Sequence, residues 1–218
     1  MTTKTPIAFL ISGALALGIG ACGGDDEEPA GGGGGGAEPV AQVDKLTGVS
    51  TSVALDAAFV EALTMLKVTP GPVGDAKITK AGEAVFPITG GNVTYYEPGT
   101  ESPSVQGIIN HEGSGLSLEA GGTLVELENF DVDPGGSVLT GDVSVDGEVA
   151  AEDAELFFLD GRTLNPLEVD KEKNTATLEG TTVKLKQSAA DLLNKTFKID
   201  ALAGDLPIGI ATIEINAS

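Results

Sequence analysis

His111 is the only histidine in the 218-residue chain and the first candidate for chemistry. A neutral imidazole can bind a metal or haem iron, and it can also act as a general base. Residues 105–111 predict a β-strand that ends at His111, and the following Glu112 and Gly113 predict a turn. The alternative, which we favour, is a structural histidine that is hydrogen-bonded where this strand meets the turn.

The residues around His111 do not complete a hydrolytic motif. The pair His111-Glu112 begins like a zinc metalloprotease motif, but Gly115 stands where the second histidine is needed. The chain has no Gly-x-Ser-x-Gly sequence, although the members of a Ser-His-Asp triad can also lie far apart. We therefore predict a protein that is not an enzyme, with a hydrolase that has an unrecognised site as an alternative.

Several acids in the second half of the chain offer oxygen ligands. Asp131 and Asp133 precede Pro-Gly-Gly and begin like a calcium-binding loop, with ligands at its positions 1 and 3. Position 5 is glycine, and position 12 is Asp142 where such loops have glutamate. One interpretation is therefore a calcium site at Asp131, Asp133 and Asp142. The default interpretation is that these are solvated carboxylates in turns.

Tyr95 and Tyr96 are the only tyrosines. Because adjacent residues of a strand face opposite sides, we predict that one of the two is exposed. An exposed tyrosine could contact a ligand or a partner, or it could cover a sheet edge. The chain has no tryptophan, which disfavours the stacked aromatic platforms of carbohydrate-binding and single-stranded nucleic-acid-binding proteins.

The charge of the chain excludes several partners. Its formal net charge is −21 at pH 7, which argues against binding to nucleic acid and to anionic lipid headgroups through the protein surface. Acidic surfaces also keep secreted proteins soluble, and this is the simpler explanation of the charge.

The first 22 residues have the pattern of a secretory signal. Lys4 precedes an apolar run over residues 7–21, which is too short for a membrane-spanning helix. The run ends in Ile19-Gly20-Ala21-Cys22, which resembles the lipobox of bacterial lipoproteins. This resemblance implies cleavage before Cys22 and a diacylglycerol on its sulfur. We expect an extracytoplasmic protein that is anchored to the membrane by this lipid.

We divide the chain into three segments. Residues 1–21 are the predicted signal peptide. Residues 22–42 contain the lipidated cysteine and a tether rich in glycine and acids, a composition that is typical of flexible coil. Residues 43–218 form the predicted β-rich extracytoplasmic domain.

Two short helices are predicted. Asp56 is placed to cap a helix over residues 56–66, in which Phe59, Leu63 and Leu66 form one apolar stripe. A second helix is predicted over residues 188–194, where Ser188 and Asp191 have nearly the spacing of a capping box.

The remaining pattern predicts strands. Leu116, Leu118 and Ala120 alternate with polar residues, which is typical of antiparallel sheet with one buried face. The alternation changes phase in two places, and we expect β-bulges near Asn129 and Ala211. The predicted fold is mainly β: an antiparallel, β-sandwich-like single domain with two short helices.

Part of this domain resembles the HtaA-type domains, which are β-rich surface modules of Gram-positive bacteria linked to haem uptake. The similar residues fall between 83 and 142: Val85-Phe86-Pro87-Ile88, then Gly107 to Gly113, then Gly115-Leu116-Ser117-Leu118. The resemblance implies a haem contact at His111, which falls on the family's histidine. In such domains the tyrosine that ligates iron lies in the opening segment, which corresponds here to residues 56–66. That segment has Phe59 and no tyrosine.

Three functions follow from these observations, in order of preference. The first is a non-catalytic binding or envelope-associated domain without a cofactor, whose ligand or partner is an unidentified small molecule or envelope component. The second is a haem-binding surface module of the HtaA kind. The third is the hydrolase with an unrecognised site.

Overall fold

The structure is a computed structural model that describes residues 37–217. The predicted signal peptide, Cys22 and most of the tether lie outside this range. The described strands are β1 Ala41–Val43, β2 Val49–Leu55, β3 Thr69–Gly74, β4 Lys77–Ile78, β5 Glu83–Pro87, β6 Gly90–Tyr95, β7 Val105–Ala120, β8 Thr123–Asp133, β9 Val138–Val145, β10 Glu148–Asp160, β11 Glu168–Asp170, β12 Thr175–Leu185 and β13 Pro207–Asn216. The described α-helices are α1 Ala57–Leu66 and α2 Gln187–Phe197.

The strands form one antiparallel sheet. Its order is β1-β6-β7-β8-β9-β10-β12-β13-β2-β5-β4, with β3 added to β7 and β11 added to β12. Phe86 of β5 and Phe130 of β8 lie in opposite halves of this order, yet their ring centroids are 5.2 Å apart. The sheet therefore curls so that the apolar side chains of its two halves meet on the inside. The predicted mainly β, sandwich-like domain is confirmed. None of the helices in the described range has the length and apolarity needed to span a membrane.

Helix α1 begins as predicted. The carboxylate of Asp56 accepts hydrogen bonds from the backbone amides of Ala58 and Phe59, which would otherwise lack partners in the first helical turn. Phe59 and Leu63 are buried and fix the helix against the curled sheet. The local signals, a cap and an apolar stripe, were sufficient to place this element.

Helix α2 is longer than predicted and begins without the expected capping box. Its N-cap is Lys186, which makes no side-chain capping hydrogen bond. The hydroxyl of Ser188 donates to the backbone carbonyl of Glu155 in β10, at 3.2 Å. Ser188 therefore attaches the helix to the sheet and does not cap it.

The bulge predicted near Asn129 is confirmed. The register of β8 against β9 shifts between Glu128 and Asp131, and Asn129 has a positive φ of 54°. On the other side, β7 is irregular between His111 and Gly115, and the amide of Gly113 donates to the Asn129 side chain at 3.0 Å. These two irregularities set the position of His111.

A register shift does occur at Ala211, but the extra residue there is Gly180 of β12, because Glu179 lies opposite Thr212 and Thr181 lies opposite Ala211. The bulge within β13 itself lies three residues earlier than predicted. In the pairing of β12 with β13, Lys184 lies opposite Pro207 and Val183 lies opposite Gly209, so Ile208 is the extra residue. As a result Ile208 is buried, whereas Ile210 is 40% exposed. The predicted bulge at Ala211 had placed these two isoleucines on one face.

Candidate functional site

The curled sheet encloses a cavity of about 760 Å³. Apolar side chains from both halves of the sheet form most of its wall, including Val53, Phe86, Ile109, Leu159, Val183 and Ile215. Among the described residues, Glu101 is the only acid that lines the cavity, and no lysine or arginine does. The cavity is therefore suited to a ligand that is mainly apolar.

His111 lies at one end of the cavity and is sealed by protein. Only 1% of its surface is exposed. Its Nδ1 lies 3.1 Å from the carbonyl oxygen of Phe130, and its Nε2 lies 2.8 Å from the hydroxyl of Thr51. Thr51 belongs to β2 and Phe130 to β8, so the imidazole joins strands that are distant in the sheet order.

These partners determine which ring nitrogen holds the proton. Burial lowers the pKa of His111 from its ordinary value of 6.5 to about 4, against the opposing effects of the Phe130 carbonyl and the charge of Asp131. The ring is therefore neutral at pH 7 and has one N–H group. A carbonyl oxygen can only accept, so Nδ1 donates to Phe130. Nε2 must then accept from the Thr51 hydroxyl, and its lone pair is occupied.

The surroundings of His111 hold it further in place. The hydroxyl of Ser114, which has no exposed surface, donates to the backbone carbonyl of His111 at 3.1 Å. The ring of Phe86 contacts the imidazole edge-on, with centroids 6.5 Å apart. A group that is sealed from water in this way is poorly placed to act as a general base. The strand does not end at His111 as predicted: β7 continues to Ala120, and an irregularity between His111 and Gly115 stands in place of the predicted turn.

Tyr95 lies at the opposite end of the cavity. Its side chain lines the cavity and is 7% exposed, whereas Tyr96 is half-buried and is not part of the lining. Tyr95 pairs with Val105, the first residue of β7, and His111 lies six residues further along that strand. At the usual rise per residue, six residues correspond to roughly 20 Å. The two predicted ligand-binding positions therefore border one cavity without touching each other.

The hydroxyl of Tyr95 has no hydrogen-bond partner within residues 37–217. No side-chain polar atom of the described residues is both fully enclosed and unpaired, so this hydroxyl remains in contact with water-sized space. The connection between Tyr95 and β7 supplies the rest of this end of the cavity, through Pro98, Gly99, Glu101, Ser102, Pro103 and Ser104.

The three aspartates of the calcium hypothesis have partners within the fold. Asp131 accepts from the Asn110 side chain at 2.7 Å, and Asp133 accepts from the amide of Gly136 at 2.8 Å. Asp142 accepts from the Asn129 side chain at 2.9 Å and from the amide of Asp153 at 3.1 Å. No cluster of three metal-ligating side chains occurs in the described part of the chain, and the calcium hypothesis gains no support.

Two features of the domain could not be read from the sequence. Thr51, the partner of His111, lies 60 residues before it in the chain, and no motif connects them. Asp160 is buried and pairs with Arg162 at 2.6 Å and with Lys184 at 2.8 Å, so that these cations hold the pKa of its carboxyl well below the usual range. The spacing of Asp160 and Arg162 in a turn was the only local signal for this ion pair.

Comparison with other proteins gives a fold but no sequence relative. No protein-family model matches the chain, and no curated protein matches it. The structure is similar to the C-terminal domain of HtaA from Corynebacterium glutamicum, with a TM-score of 0.54, 16% identity, and coverage of 78% of this chain and 97% of that chain. The domain has the HtaA-type fold. It is also similar to the heme-binding protein HtaB from the same organism, with a TM-score of 0.50, 14% identity, and coverage of 80% and 95%.

Proposed function

We propose that this domain is a non-catalytic binding module that takes haem into the cavity of its curled sheet. The observation that supports this most directly is the cavity itself, with about 760 Å³ of space and mainly apolar walls. Haem sites combine a broad apolar wall with a small number of polar groups, and this cavity has that composition. HtaB, whose fold is similar, is described as heme-binding.

The cavity wall contains side chains of the types that ligate haem iron. Histidine, cysteine, methionine and tyrosine ligate haem iron in proteins. Of these types, only His111 and Tyr95 line the cavity within the described residues. Bound haem would supply an iron centre that a side chain of the wall could ligate. The apolar walls would hold the macrocycle and exclude water.

The haem propionates have no cationic partner in the wall. No lysine or arginine of the described residues lines the cavity, and Glu101 would repel a carboxylate. We call the end lined by the connection 96–104 the open end, because most residues of this connection are exposed. We therefore expect the propionates to remain in water there, beside the hydroxyls of Ser102 and Ser104. The affinity for haem should then depend more on the apolar wall than on charge.

Titration with ferric haem tests the proposal. The wild-type domain should produce a shifted, saturable Soret band. Thr181 lines the cavity and Thr212 does not, although both are half-buried. Thr181→Phe should therefore weaken binding by about tenfold or more, whereas Thr212→Phe should leave it within about twofold. Circular dichroism checks that both variants fold. The proposal is wrong if the wild-type protein shows no saturable change.

We further propose that Cys22 anchors the domain outside the cytoplasm through a thioether-linked lipid. The proposal rests on the lipobox-like Ile19-Gly20-Ala21-Cys22. The strongly acidic chain would not bind an anionic membrane by charge alone. Cys22→Ser should therefore move the full-length protein from the membrane fraction to the soluble fraction. Retention of this variant on salt-washed membranes would contradict the proposal.

A further inference from the structure

The cavity wall carries one charge, which belongs to Glu101. No other side chain that lines the cavity within residues 37–217 is charged at pH 7, because the buried ring of His111 is neutral. Glu101 is half-buried, and its carboxylate has no hydrogen-bond or ion-pair partner among the described residues. The carboxylate is therefore available to water or to a ligand that carries a complementary group.

The connection between β6 and β7 holds Glu101 at the open end of the cavity. The amide of Tyr96 donates to the carbonyl of Ser104 at 2.7 Å, which closes the base of this connection. The amide and the hydroxyl of Thr100 both donate to the carbonyl of Glu97, at 3.0 and 2.6 Å. The turn that precedes Glu101 is therefore fixed by its own hydrogen bonds, and it keeps this residue beside the cavity.

A wall with one negative charge and no positive charge favours one class of ligand over others. Beside Glu101 an ammonium group is attracted, a hydroxyl is neutral and a carboxylate is repelled. Because Glu101 is half-buried, water screens part of this effect, and the resulting preference is a matter of a few-fold in affinity. An apolar molecule with one cationic group thus fits the wall better than a molecule with carboxylates.

We propose that the cavity takes a second class of ligand, single-chain amphiphiles with a cationic head group, and that Glu101 determines this specificity. The hydrocarbon chain lies between the two halves of the sheet, and the ammonium group lies at the open end beside Glu101. The volume of about 760 Å³ is within the usual range for small-molecule sites. This inference goes beyond haem binding, since it depends on the charge of the wall and not on any contact with iron.

Three ligands with the same hydrocarbon chain test the proposal. Dodecylamine, dodecanol and dodecanoate have head groups that are cationic, uncharged and anionic at pH 7. They are titrated by calorimetry, below the concentrations at which they form micelles, into the full chain with Cys22→Ser. This substitution removes the proposed lipid, so that no detergent competes for the cavity. Dodecylamine should bind about threefold more tightly than dodecanol, and dodecanoate about threefold more weakly.

Matched variants show whether Glu101 causes this preference. Glu101→Gln should bring the affinities for dodecylamine and dodecanol within about twofold of each other, and Glu101→Lys should make dodecanoate bind more tightly than dodecylamine. Glu97→Lys makes the same change in net charge within the same connection, but Glu97 is exposed and does not line the cavity. Glu97→Lys should therefore keep the wild-type order. Thr181→Phe, which fills part of the cavity, should weaken the binding of all three ligands by about tenfold.

Four results would overturn the proposal. Wild type may not bind any of the three ligands at all, or it binds all three within about twofold, in which case the wall does not select by charge. If Glu97→Lys reverses the order as Glu101→Lys does, the net charge of the protein decides the preference. If Thr181→Phe leaves the affinities unchanged, the ligands bind outside the cavity. Ferric haem is titrated separately, so none of these results decides whether the proposed haem-binding function holds.

Discussion

At the His111 end of the cavity, each polar group of the imidazole has a protein partner, whereas at the Tyr95 end the phenol hydroxyl has none. Both ends belong to the same pair of strands, β6 and β7, and both side chains are more than nine-tenths buried. The difference between the ends is therefore not one of depth. It is a difference in whether the polar atoms are paired within the fold or border the cavity space.

This difference separates a structural role from a binding role. A buried polar group that is paired within the protein helps to define the fold, and removing its partner costs stability. A polar group that has no protein partner but borders the cavity space contributes little to folding, and it is available to water or to a ligand. His111 joins β7, β8 and β2 across the closed end. Tyr95 leaves its hydroxyl at the open end, next to the segment that follows β6.

The largest difference in the free energy of unfolding is expected between truncating a packed leucine and truncating a leucine that lines the cavity. Leu118 is 5% exposed and lies away from the cavity, whereas Leu139 is half-buried and lines it. Leu118→Ala creates a new void in a packed region and should cost about 2–5 kcal/mol. Leu139→Ala only enlarges an existing space and should cost about 1 kcal/mol. Urea unfolding measures both values, and equal costs would contradict an empty cavity at Leu139.

The sequence was informative wherever the deciding interaction is local. Asp56 and the apolar stripe that follows it define α1 within a few residues, and the phase change at Asn129 revealed a real bulge. The bulge at Ile208 was misplaced because the partner strand β12 decides which residue is extra, and that register is a long-range property. For the same reason, no local signal indicates that Lys184 of β12 forms a partly buried ion pair with Asp160 of β10.

The sequence indicates which residues belong to the candidate site, but it does not indicate how they are arranged. His111 and Tyr95 were both recognisable as the rare residues of their type. That Tyr95 and not Tyr96 lines the cavity depends on the phase of β6 against its neighbours, which the sequence of two adjacent tyrosines leaves open. Thr51 was missed because a threonine in an alternating strand has no distinguishing signal. Cys22 lies outside the described residues and stays a prediction.

The closed end should make folding stability depend on pH. The pKa of His111 is about 4 in the folded protein and about 6.5 in the unfolded chain, so the unfolded chain binds a proton first as the pH falls. Stability is therefore complete above pH 6.5 and is lost as the pH falls towards 4, by roughly 3 kcal/mol in total. The free energy of unfolding of wild type and of His111→Gln is measured by chemical denaturation at each pH. The difference between the two proteins isolates the contribution of His111 from that of the carboxylates, which both proteins share. A difference that is constant between pH 7 and pH 4 would contradict it.

A smaller effect is expected from the partner of His111. Thr51→Val keeps the shape of the side chain but removes the hydroxyl that donates to Nε2, leaving that nitrogen buried without a partner. The expected cost is about 1–3 kcal/mol. Ser52→Ala removes a hydroxyl from the adjacent, half-buried residue and should cost about 0.5 kcal/mol or less. If the two variants unfold at the same urea concentration, the hydrogen bond between Thr51 and His111 does not stabilise the fold.

The smallest effect is expected at the open end, and it completes the comparison. Without ligand, Tyr95→Phe should change the free energy of unfolding by no more than about 0.5 kcal/mol, because the deleted hydroxyl has no described protein partner. Thr51→Val deletes a hydroxyl from a residue of similar exposure and should cost more, because that hydroxyl is paired with His111. A loss of about 1 kcal/mol or more in Tyr95→Phe, measured by urea unfolding of the ligand-free protein, would contradict this expectation. It would mean that the hydroxyl stabilises the fold, and the distinction between a structural end and a binding end would then fail at Tyr95.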